Sequence, residues 1–86
     1  MRSWMTRDQL YEEFQCNREV EFSLHDIKLF AEPNVDWERE GKYGIWDASR
    51  HVRIVSGSID QVFAYKFLGS FSLNENFEEF DIEYVL

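Results

Sequence analysis

The side chains that could do chemistry in this 86-residue chain are few and dispersed. Cys16 is the only thiol, and His25 and His51 are the only imidazoles. A thiol beside an imidazole can act as a nucleophile with its base. Here, however, Cys16 closes an amphipathic segment and both histidines fall at turns, which reads as an amphipathic thiol and two solvated rings. His25 with Asp26, and Asp47 with His51, are the close histidine–carboxylate pairs. Neither has the ligand number or spacing of a zinc site, and no calcium loop is present. Gly41, Gly44, Gly57 and Gly69 are too far apart to cradle a phosphate. Gly44, inside a predicted strand, marks a bulge or a close packing contact. Glu12-Glu13 and Glu78-Glu79 are adjacent, and adjacent helical residues do not face each other. An acid–base pair also needs one carboxyl in an apolar pocket, so both pairs read as solvated faces. No catalytic residue, metal or cofactor is nominated.

Charge is the stronger signal. Asp and Glu number 17 against 9 Lys and Arg, a formal charge of −8. That charge repels nucleic acid and anionic membranes, so neither is an expected partner. After Lys66 there is no basic residue, while Glu75, Glu78, Glu79, Asp81 and Glu83 follow. Such a block can steer and orient a basic protein, with an exposed aromatic such as Trp37 or Trp46 as anchor. The candidate protein contact is therefore Glu75, Glu78, Glu79, Asp81, Glu83 and Trp37, whereas Tyr84 is expected in the core. The function implied is a small acidic protein-interaction module, of the size and charge of immunity proteins, antitoxins and inhibitors, with no catalysis of its own. The alternative is a small-ligand-binding protein or enzyme whose site forms at a dimer interface. A third reading, self-association, would use an exposed edge strand at 27–31 with its outward Phe30. Monomer and homodimer are both open.

A single cysteine forbids an internal disulfide, the usual staple of small secreted domains. The apolar residues at the start are broken by Arg2, Arg7 and Asp8, unlike a signal peptide. No apolar run approaches the roughly 20 residues of a membrane span. A cytoplasmic location is expected. Length allows one domain, residues 1–86.

The elements that would position these residues are legible from periodicity and caps. Thr6-Arg7-Asp8-Gln9, Ser58-Ile59-Asp60-Gln61 and Ser72-Leu73-Asn74-Glu75 each have the form of a capping box. The first opens a helix over about 7–16, with Leu10 and Phe14 on one face and Asn17 as stop. Alternation over 19–24 gives a strand with one buried face. His25-Asp26 turns into a second strand at 27–31, and residues 32–41 read as a loop. Strands at 42–48 and 52–55 complete a meander, which must be antiparallel. Helices follow at about 59–67 and 73–79. A last strand has Ile82, Tyr84 and Leu86 alternating.

The segments Asp8-Gln9-Leu10-Tyr11-Glu12-Glu13-Phe14, Asn17-Arg18-Glu19-Val20-Glu21-Phe22 and the tail Phe80-Asp81-Ile82-Glu83-Tyr84-Val85-Leu86 resemble small uncharacterised α+β proteins of Gram-positive bacteria. Asn17 stands where those proteins usually have glycine. The resemblance implies a fold and no site residues. The expected architecture is α+β, in the order α-β-β-β-β-α-α-β. An antiparallel sheet of about five strands carries helices on one face, and Glu19, Glu21, Lys28 and Arg53 lie on the other.

Overall fold

The computed structural model describes residues 4–33 and 42–86. The proposed anchor Trp37 and the charged run at 38–40 lie outside the described residues. The order is α1 (Arg7–Gln15), β1 (Val20–Leu24), β2 (Ile27–Pro33), β3 (Lys42–Asp47), β4 (Val52–Ser58), α2 (Ile59–Ala64), a 3-10 helix (Phe77–Glu79) and β5 (Phe80–Val85). The five strands form one sheet in the order β4-β3-β2-β1-β5. All pairings are antiparallel. This is the α+β architecture expected, with helices packed on one face of the sheet.

Local chemistry accounts for the element boundaries. Thr6 and Ser58 each accept from the backbone N–H three residues on, and Gln9 and Gln61 each accept the cap residue's own N–H. Both α-helices therefore open with two donors satisfied reciprocally. Asn17 ends α1 at φ 60. His25 and Asp26 are both left-handed, at φ 46 and 70, as a two-residue hairpin turn requires.

The third capping sequence behaves differently. Ser72 Oγ accepts from the Glu75 N–H at 3.0 Å, but the Ser72 N–H is taken by Asn76 Oδ1 at 3.0 Å. The Glu75 side chain turns instead to Lys66. One turn and a three-residue 3-10 helix result where an α-helix over 73–79 was expected. Helix α2 also stops earlier than expected, because Tyr65 is extended and Phe67 forms a bridge with Phe71.

The core lies between the helices and one face of the sheet. Leu10 and Phe14 of α1 and Val62 and Phe63 of α2 are buried there. From the sheet come Val20, Phe22, Leu24, Leu29, Ala31, Tyr43, Ile45, Phe80 and Ile82. Phe14 stacks on Tyr43 with centroids 4.3 Å apart, and Phe63 meets Phe14 edge-on at 5.5 Å. The Tyr43 hydroxyl donates to the Arg18 carbonyl at 2.5 Å, tying β3 to the chain leaving α1.

Three expectations are corrected. The segment 27–31 is no edge: β2 extends to Pro33 and lies between β1 and β3, so its backbone groups are paired on both sides. Residues Glu32 and Pro33 belong to that strand rather than to a loop, since they pair with Gly44 and Tyr43. Tyr84 is 53% exposed. The register shifts by one residue between Glu21↔Tyr84 and Phe22↔Ile82, and a one-residue shift moves a side chain to the opposite face.

Candidate functional site: the open face of the sheet

The C-terminal carboxylates do not form a continuous free edge. Glu83 is held by Lys28 Nζ at 2.9 and 3.0 Å. Glu79 Oε1 lies 2.9 Å from His25 Nε2. Glu75 pairs with Lys66. Lys66 holds the Glu75 carboxyl below its ordinary range, and Lys28 together with Ser23 does the same for Glu83. Glu78 is exposed. Asp81 sits opposite Ser23 in the ladder and is half-buried.

Nor do the thiol, histidine and carboxylate candidates share one pocket. Asp47 is buried on the helix-covered side, accepting from Ser49 Oγ at 2.6 Å and from Arg50 Nε at 2.8 Å. Those bonds, Ser49 first, hold its carboxyl below the ordinary aspartate range. With Arg50, Leu29, Ile54 and Phe67 it borders a small cavity of about 110 Å³. His51, at φ 56, is on the other side of the sheet. Cys16 caps the end of α1 and is exposed. Among the described residues, no group of three or more His, Cys, Asp or Glu side chains is placed to hold a metal ion.

The open face carries a more organised arrangement. Register aligns Tyr84, Glu21, Phe30, Trp46 and Arg53 as successive cross-strand partners over all five strands. Phe30 and Trp46 are half-buried here, although the helices cover the opposite face. The Arg53 guanidinium lies over the Trp46 ring, 4.7 Å from its centroid. Gly44 makes room for it, since a Cβ there would come within 3.0 Å of Arg53 Cζ. A cation on an indole face is attracted by the ring quadrupole. The expected close packing contact at Gly44 is this one.

Beside that stack runs an open groove of about 390 Å³, lined by Glu21, Phe30, Glu32, Trp46, Ala48 and His51. The size is near the lower end for ligand sites, and the groove is shallow rather than enclosed. Neither Glu21 nor Glu32 has a cationic partner among the described residues. The Trp46 indole N–H is shielded from water and finds no acceptor among them. Two carboxylates without a cationic partner among the described residues thus flank an aromatic floor. The sequence already put Phe30 on the outward face of its strand. It did not show Glu21, Glu32 and His51 gathered around Phe30 and Trp46, because that depends on the order and register of β1, β2 and β3.

Compared with known proteins, the chain matches no family model, no curated protein sequence and no solved structure.

Proposed function

We propose that this protein is a small acidic interaction module, of the immunity, antitoxin or inhibitor kind, with no catalysis of its own. Its contact surface is the open face of the sheet, and its partner is a basic protein. The observation that carries this reading is the groove in which Phe30 and Trp46 lie beside Glu21 and Glu32, carboxylates with no cationic partner among the described residues. Aromatic side chains supply contact area at low entropic cost, and charge complementarity orients the partner. By contrast, Glu75 and Glu83 are already paired with Lys66 and Lys28, and Glu79 is engaged by the His25 ring.

Aromatic rings on an open sheet are also a plan for stacking nucleobases. The carboxylates beside these rings and the net charge of −8 weigh against that use, because a phosphate chain would be repelled. We place the protein in the cytoplasm, a location that fits the exposed, unpaired Cys16. No helix among the described residues is long and apolar enough to cross a membrane.

Affinity capture from the native host's lysate tests the proposal with three baits: wild type, Glu21→Lys/Glu32→Lys and Glu78→Lys/Glu79→Lys. A basic partner should be held at low salt, weaken as salt screens the charges, and be lost only with the first variant. Loss with the second variant alone would move the contact to the C-terminal carboxylates. Capture indifferent to both would sink the acidic-face reading.

A further inference from the structure

Resting on that reading, we propose that the groove is a socket for a single arginine side chain of the partner. Three features converge on a guanidinium. The first is the floor: Phe30 and Ala48 offer apolar surface for an aliphatic stem, and the Trp46 ring stands beside them. The second is the charge. Glu21 on β1 and Glu32 on β2 stand at different places along the groove, and neither is neutralised by a described residue. A planar fork of donors can engage carboxylates while its stem lies on apolar surface.

The third feature is a precedent inside the molecule. Arg53 already lays its guanidinium on Trp46, 4.7 Å from the ring centroid, with Nη1 3.4 Å from Ser56 Oγ. That face of the sheet therefore accepts a flat, delocalised cation against the indole. Guanidinium stacks on aromatic faces better than a compact, strongly hydrated ammonium, so arginine is the expected occupant and lysine the weaker competitor. His51 is the other titratable side chain at the groove.

The test uses the full chain, ¹⁵N-labelled, titrated with three short capped peptides that differ at one central residue: arginine, lysine or citrulline. Citrulline keeps the shape of arginine and removes its charge. The arginine peptide should shift the Trp46 indole N–H and the Glu21, Phe30 and Glu32 amides in one saturable process. Affinity should fall about tenfold with citrulline, the loss of two exposed charge pairs. Glu21→Gln/Glu32→Gln should bring a similar loss with the fold intact by thermal melting.

Equal binding of the lysine peptide would overturn the guanidinium preference. Equal binding of citrulline, or shifts confined to residues near Glu78, would overturn the socket. The two readings fail separately. If protein capture depends on Glu21 and Glu32 while no peptide binds, the interaction module stands and the arginine socket falls.

Discussion

Replacing Tyr43 with phenylalanine probes how β3, the strand carrying Trp46, is anchored. Tyr43 is 1% exposed, stacks on Phe14, and donates its hydroxyl to Arg18 O at 2.5 Å. Tyr43→Phe keeps the ring and its stacking and removes one donor, leaving the part-buried Arg18 carbonyl without it. Leaving a buried acceptor unsatisfied costs about 1–3 kcal/mol. Taking about 2 kcal/mol, and roughly 4–8 °C per kcal/mol for a domain of this size, Tm should fall by about 8–16 °C. Denaturant titration should show the same loss with an unchanged slope, because the buried surface is the same.

The same variant has a second readout in alkali. Burial, followed by the charges of Cys16, Glu13 and Glu19, pushes the Tyr43 phenol well above its ordinary value. The folded state thus keeps a proton that the unfolded chain releases near pH 10. Stability from this group is complete below that pH and is lost as pH rises through the folded value. Tyr11 is also raised, chiefly by its hydrogen bond to Asp60, but it is present in both proteins and cancels in the comparison. Wild type should therefore lose stability above pH 10 more steeply than Tyr43→Phe. A variant within 0.5 kcal/mol of wild type by the error scale of such measurements, with the same alkaline limb, would refute the claim that this hydroxyl anchors β3.

Two glycines of the β3–β4 pair should respond to different extents. At Gly57 a Cβ would fall 2.5 Å from Gln61 Oε1, the atom that accepts the Ser58 N–H. Gly57→Ala should open that capping box and lower stability by about 1 kcal/mol in chemical denaturation. The three atoms nearest to a Cβ at Gly44 all belong to the Arg53 guanidinium, an exposed group that can swing away. The stability of Gly44→Ala should change by less than about 0.5 kcal/mol, while the Trp46 indole resonance moves as the cation leaves its ring. In acid, Asp47 is the group to watch. Its carboxyl is held low by Ser49 and Arg50, so its stabilisation is present above the unfolded aspartate value near pH 4 and is lost as pH falls through the folded one. Thermal melts of Asp47→Asn should show a flatter acid limb than wild type, and an unchanged limb would refute that role.

The fold was largely legible because its signals are local. The Thr6 and Ser58 boxes, the alternation over 19–24 and the left-handed Asn17 and His25-Asp26 positions each depend on residues within a few places of one another. Where a non-local partner competed, the local signal was misleading. Glu75 has the right spacing to close the Ser72 box, but Lys66 takes its carboxylate and Asn76 closes the box instead. Phe67 continues the apolar stripe of α2, yet it belongs to a bridge beyond the helix.

The site was less legible than the fold, for the same reason. Composition and periodicity by themselves determined the acidic character, the single α+β domain, and the outward placing of Phe30. Those properties follow from counts and from the two-residue period of a strand. Which carboxylates find a partner was decided only by tertiary structure. Lys28, His25 and Lys66 reach Glu83, Glu79 and Glu75 across 55, 54 and 9 residues of chain. The Glu21–Phe30–Trp46–Arg53 row needs β1, β2, β3 and β4 in register. A one-residue shift would turn each side chain to the opposite face, so the groove exists only once the whole sheet is paired.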